Sequence, residues 1–171
     1  MCLAWEQRKL DEFGISTSGT SIESEFGEGE KYKVISIGSY SENSTYNDQG
    51  IRAKLSDKTK KRVLNKGDLT MILNDKTSSG RIIGRVLIID KSDMYVFNQR
   101  TQRIEPYHDK YDAIFLYEML NAPQIRNKIF SIGISEIVCL FKHLLFEMFI
   151  DTSSAFVRSL KIERLILLYI F

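Results

Sequence analysis

Between Tyr32 and Ile104 the chain repeats one pattern: short runs of β-branched, aliphatic and aromatic residues, each closed by a polar or glycine-bearing turn. Tyr32, Val34, Ile35 and Ile37 form the first run, closed by Gly38-Ser39-Tyr40. The turn Asn65-Lys66-Gly67-Asp68 opens a second run over 69–73, and a polar stretch over 74–80 separates it from a longer aliphatic run over 82–89. Residues 95–97 and 101–104 supply two more. Their β-branched and aliphatic composition suits a pleated, half-buried surface, so a β-rich body is expected. Before it, the small residues of 16–21 read as loop and turn, and 42–50 as a long loop of the kind that often carries function.

Pro106 ends the β pattern. Beyond it Asp109 or Asp112 is placed to cap a helix with Ile114, Leu116, Tyr117 and Leu120 near one face. Asn121-Ala122-Pro123 then interrupts, and a second short helix runs to about Ile129. The expected class is α+β, a β-rich domain followed by C-terminal helices. A chain of 171 residues has room for one domain, or one with an appendage. The division expected is a domain with its trailing helix over 1–130 and an apolar, helical tail over 131–171.

Cys2 and Cys139 stand far apart, which fits a reduced cytosolic protein better than a disulfide scaffold. The N-terminus lacks the basic start and long apolar core of a secretory signal, and the apolar run at 137–150 is too short and too charged to span a bilayer, which needs about 20 apolar residues. A cytoplasmic protein without membrane association is expected.

A net charge of +2 makes no global case for nucleic-acid binding, so only a local concentration of cations can. The densest lies in 54–66, where Lys58, Lys60, Lys61 and Arg62 face one acid, Asp57. Such a cluster can neutralise phosphates, although taken alone a solvated charged face explains a run like this more often. Asn98-Gln99-Arg100-Thr101-Gln102-Arg103 is more specific, because Arg, Asn and Gln carry the forked donor and acceptor geometry that reads base edges in the major groove. On a strand, Arg100 and Gln102 would share one face, with Gln99, Thr101 and Arg103 on the other; a polar outer strand face accounts for them equally well. The stretch holding Asn74, Lys76, Thr77 and Ser78 is suited to phosphate or base-edge contact, with an ordinary hairpin connection as the simpler account.

Catalytic signals are missing. His108 and His143 stand in no metal-ligand or triad spacing, and there is neither a phosphate loop nor the glycine fingerprint of a dinucleotide or methyl-donor site. No cofactor, metal or enzymatic activity is expected.

Several segments together resemble one family, the DNA-specificity subunits of type I restriction-modification systems. They are Trp5-Glu6-Gln7-Arg8-Lys9-Leu10, Lys33-Val34-Ile35-Ser36-Ile37-Gly38, Leu64-Asn65-Lys66-Gly67-Asp68-Leu69, Ile83-Gly84-Arg85-Val86, Phe97-Asn98-Gln99-Arg100-Thr101 and Phe115-Leu116-Tyr117-Glu118-Met119-Leu120-Asn121. Each is short, and their order and spacing carry the resemblance over 5–130. It implies a target-recognition domain that reads one half of a split double-stranded DNA target, without catalytic activity of its own. Methyltransferase subunits, the restriction subunit reached through the complex and a second specificity half-subunit are the partners it implies. Within the resembling region, Lys58, Lys60, Lys61, Arg62, Asn74, Lys76, Thr77, Ser78, Gln99, Arg100, Gln102 and Arg103 become the candidate DNA contacts, chosen by chemistry.

The family pattern stops at Phe130. The apolar 131–171 that follows reads as a frameshift or recombination product, and a helical extension packing on the domain or a partner is the alternative. With it goes a second reading of function, a truncated non-functional or regulatory fragment acting through protein association.

Overall fold

The structure, a computed structural model, describes residues 4–9, 12–73, 81–131 and 145–150. Its centre is a four-stranded antiparallel sheet. Strand β5 (Leu69–Ile72) lies inside it, flanked by β6 (Val86–Ile88) and β8 (Thr101–Pro106), with β2 (Gly14–Ser18) beyond β8. A second sheet has β3 (Tyr32–Ile35) at its middle, antiparallel to β4 (Arg52–Ala53) and parallel to β7 (Tyr95–Phe97). The third is the antiparallel pair β1 (Ala4–Lys9) and β9 (Leu145–Ile150).

Strand β5 shows why the middle runs are continuously apolar rather than alternating. Leu69 and Met71 pack on one face with Phe13, Val86, Ile104, Leu116 and Leu120, while Ile72 packs on the other with Ile35, Leu64, Leu87 and Phe97. Both faces are covered, so β5 is buried at every position. Fully burying each such side chain is worth about 1.5–3 kcal/mol. A smaller cluster of Ile22, Tyr32, Val34, Ala53 and Val96 fills the second sheet.

The cover on the first face is helix α2 (Ala113–Asn121). Asp112 caps it, Oδ1 accepting from the amides of Ile114 at 2.8 Å and Phe115 at 2.9 Å. Leu116 and Leu120, one turn apart, point inward, and Ile114, expected on the same face, is exposed. Asn121 ends the helix by pairing with the edge strand: Oδ1 accepts from Val86 N and Nδ2 donates to Val86 O, both at 3.1 Å. One side chain thereby supplies the ladder partner that β6 lacks. Pro123 opens the next helix, α3 (Pro123–Ser131).

Three expectations need correcting. Residues 16–18, read as part of a loop, belong to β2, where they owe their conformation to pairing with β8 rather than to their own propensity. The run 82–89 is strand only at Val86–Ile88, because 81–84 turn back through Gly84 in the left-handed region at φ 72°. Residues 145–150, placed in a helical tail, are a strand paired with β1; a short apolar run with two phenylalanines and an isoleucine suits either state, and periodicity alone does not separate them. The rest of 132–171 lies outside the described residues.

Candidate nucleic-acid interface

The turn Asn98-Gln99-Arg100 emerges from the wholly buried β7. Asn98, itself buried, fixes the turn: its Oδ1 accepts from Arg100 N at 3.2 Å, its carbonyl from Thr101 N at 3.1 Å, and its amide donates to Ile35 O at 3.3 Å. Gly19 closes against it so tightly that a Cβ there would run into the Asn98 carbonyl. With the anchor inward, Gln99 is exposed and Arg100 half-buried.

The second segment is the single-turn helix α1 (Asp57–Lys60). Ser56 and Thr59 form a reciprocal capping box, and the buried Thr59 hydroxyl also donates to Lys54 O at 2.8 Å. With Thr59 turned in, Lys58, Lys60 and Lys61 are exposed. The chain then runs beside β7: Val63 bridges Val96, and Phe97 N donates to Arg62 O at 3.3 Å. This lays the Arg62 guanidinium 5.7 Å from the Phe97 ring centre, within cation–π range.

A short 3-10 turn, Glu23–Glu25, joins the two segments. Gln99 Nε2 lies 3.5 Å from Glu23 Oε1, and Lys54 and Lys58 each come within 4.0 Å of Glu25, with Lys58 Nζ also 3.3 Å from Ser24 Oγ. The Ser21 hydroxyl chiefly, and the Arg100 charge more weakly, hold Glu23 below the usual carboxylate range; Ser24 chiefly does the same for Glu25. Both acids therefore sit ionised among the cations. Glu25 is largely covered, its side chain 12% accessible, while Lys54 and Lys58 stay more than half accessible, so both lysines keep charge available to a phosphate.

Gln102 and Arg103 are placed differently. Gln102 is 6% exposed, with Nε2 donating to Ser16 Oγ and Oε1 accepting from Ser18 Oγ at 3.0 Å. Arg103 is ion-paired with Asp68, Nε to Oδ2 at 2.8 Å, and with Glu105, Nη2 to Oε2 at 2.9 Å. Asp68, buried, also accepts from Asn65 N at 2.7 Å, closing the turn in which Gly67 takes φ 88°. These two residues are engaged within the sheet. Asn74, Lys76, Thr77 and Ser78 lie outside the described residues.

The sequence reading missed the Glu23–Glu25 turn as a member of this surface, and placed Lys54 in the basic stretch without counting it among the contacts. Nothing local marks the turn, because the contacts that recruit it span up to 76 positions. Among the described residues no three His, Cys, Asp or Glu side chains gather as metal ligands, and no helix is long and apolar enough to cross a membrane.

An α+β fold of small sheets, with lysine, arginine and glutamine presented from one turn and one short helix, defines a domain built to present polar side chains from a rigid β frame. Its family is specific: the profile described as "Type I restriction modification DNA specificity domain" matches residues 3–138, and the chain belongs to that family. The match runs past Phe130, where the sequence reading ended the resemblance. No curated protein sequence matches significantly. Among solved structures, the fold is similar to an HsdS subunit from Thermoanaerobacter tengcongensis, with TM-score 0.58 and 10% identity over 84% of this chain and 33% of that one. It is similar also to a type I restriction-modification S subunit from M. genitalium, with TM-score 0.54 and 18% identity over 85% of this chain and 35% of that one. A third match, from a study of complex assembly and conformational transition of the type I system, has TM-score 0.61 and 12% identity over 86% of this chain and 35% of that one. The chain thus spans about a third of the length of each of these solved chains.

Proposed function

We propose that this chain recognises one half of a split double-stranded DNA target, as a type I specificity subunit or half-subunit, and directs methyltransferase and restriction subunits to it in the cytoplasm. It does no chemistry on the DNA itself. Membership of the specificity-domain family is the observation that carries this reading. The exposed surface around Glu23–Glu25 supports it: Lys58, Lys60, Lys61 and Arg62 have the chemistry to hold phosphates, and Gln99 and Arg100 to read base edges. Asn74, Lys76, Thr77 and Ser78 extend the proposed contact set by their chemistry alone. Gln102 and Arg103 stand behind the contact set and hold the strand that follows the Arg100 turn.

Selection from randomised duplex DNA, with the cognate methyltransferase subunit present, tests the proposal. Enrichment of one short contiguous motif is expected. Association with the methyltransferase subunit without enrichment would overturn DNA reading and leave protein association as the activity.

A further inference from the structure

We infer that Arg81, Arg85 and Arg126 form a second phosphate-binding site, at the turn leading into β6, which takes a backbone phosphate of the same DNA; this rests on the DNA-binding reading above.

Arg126, in the first turn of α3, donates from Nη2 to the carbonyls of Arg81 at 2.8 Å and Ile83 at 3.1 Å. That pins the 81–84 turn against the helix. Arg85 follows Gly84, its carbonyl accepting from Ile72 N at 3.1 Å, and its Nη1 lies 3.3 Å from Ser44 Oγ. The Arg85 charge acts on Arg126, and the Glu42 carboxylate acts on both. Glu42 also pairs with Arg81, Nη1 to Oε1 at 3.3 Å, in an exposed contact with side chains 68% and 59% accessible. Arg81 alone is paired with Glu42, whose charge the two half-buried guanidiniums also feel.

This arrangement is costly as it stands. Arg85 and Arg126 are half-buried, and the Nε of each is buried with no hydrogen-bond partner among the described residues. Burial pulls both guanidiniums below their usual value, and for Arg126 the Arg85 charge adds to it. Like charges held together and partly dehydrated are relieved by an anion that supplies charge and acceptors at once. A phosphate diester fits, since the accessible Arg81 fork matches its oxygens, the two guanidiniums behind add charge, and Glu42 already shows where an anionic oxygen sits beside Arg81. None of these residues belongs to the surface around Glu23–Glu25.

The test avoids the half-buried arginines, whose loss would disturb the turn, and uses the exposed pair. Binding of the selected duplex, in the complex with the methyltransferase subunit, is measured against salt concentration for the wild type, Arg81→Gln and Glu42→Gln. Arg81→Gln is expected to lower the slope of log affinity against log salt by about 1. Glu42→Gln is expected to tighten binding by about two- to fivefold, the scale of an exposed ion pair, an increase that a folding defect does not produce. Unchanged affinity and slope in both variants, with Arg100→Ala still weakening binding, would overturn this site and leave the DNA-binding reading intact. Loss of methyltransferase association in Arg81→Gln with DNA affinity unchanged would overturn it in favour of an acidic protein surface. A wild-type complex that selects no DNA motif would overturn both.

Discussion

Asn98-Gln99-Arg100 and Thr101-Gln102-Arg103 are nearly the same tripeptide in composition, and the fold uses them in opposite ways. The first is a turn with its asparagine buried and its glutamine and arginine at the surface beside Glu23. The second opens β8, flanked on both sides by strands, with its threonine and glutamine buried and its arginine locked to Asp68 and Glu105. Side-chain chemistry does not distinguish them; the neighbour does. Where β2 and β5 cover the segment, Gln102 bonds the β2 serines and Arg103 the buried Asp68. At the turn preceding them, the same residues are available to a ligand.

The comparison is most exposed at Arg103. Replacing it with methionine leaves Asp68, 1% exposed, as a buried carboxylate without its cation, and a loss of about 3–5 kcal/mol is expected in urea unfolding. A loss below about 1 kcal/mol would show that Arg103 is no more structural than Arg100. The next effect concerns binding. Arg100→Ala is expected to leave stability within about 0.5 kcal/mol and to cost about 1–3 kcal/mol of specific DNA affinity. Unchanged affinity for the selected duplex would remove the turn from the recognition surface. Gln102→Ala removes partners from Ser16 and Ser18 across the β2–β8 pair, and about 1–2 kcal/mol of stability is expected to go with it, read from the same unfolding curves. If stability holds and DNA affinity falls instead, Gln102 reads DNA and the division at Thr101 is wrong.

Features fixed by near neighbours were legible in the sequence. Asp112 caps α2 because its carboxylate reaches amides two and three residues on, and Pro123 restarts the helix because its ring suits a first turn. The β runs were legible for the same reason, as continuous apolar stretches bounded by turns. What depends on distant partners was not. Ser-Thr-Ser at 16–18 becomes a strand only through β8, more than 80 residues away, and the burial of Gln102 follows from that same pairing. The exposure of Lys58, Lys60, Lys61 and Gln99 was readable from their chemistry. The Glu23–Glu25 turn that joins them, and the meeting of Arg126 with the 81–84 turn, were not.

The smallest expected effect sets two aspartates against each other, one at the surface and one buried at the turn into β5. Asp48, in the long loop, receives Arg52 Nη1 at 3.0 Å, Lys33 Nζ at 2.9 Å and Gly50 N at 2.9 Å, and these contacts, Arg52 foremost, hold its carboxyl well below the usual range. Its contribution is therefore complete above the unfolded aspartate value of about 4 and is lost as pH falls through the lower folded value. Asp68 goes the other way. Burial pushes its carboxyl up in spite of Arg103, so the stability tied to its protonation is present below about 4 and is lost as pH rises through the folded value. Acid destabilisation should then follow the loop carboxylate and not the buried one. Asp48→Asn is expected to be less stable than the wild type at pH 7 by about 1 kcal/mol or less, with the gap closing below about pH 4 in thermal melts. A gap that persists unchanged at pH 2 would mean that Asp48 acts through the hydrogen bonds of its loop rather than its charge, and that the surface pair, unlike Asp68–Arg103, has no electrostatic role in the fold.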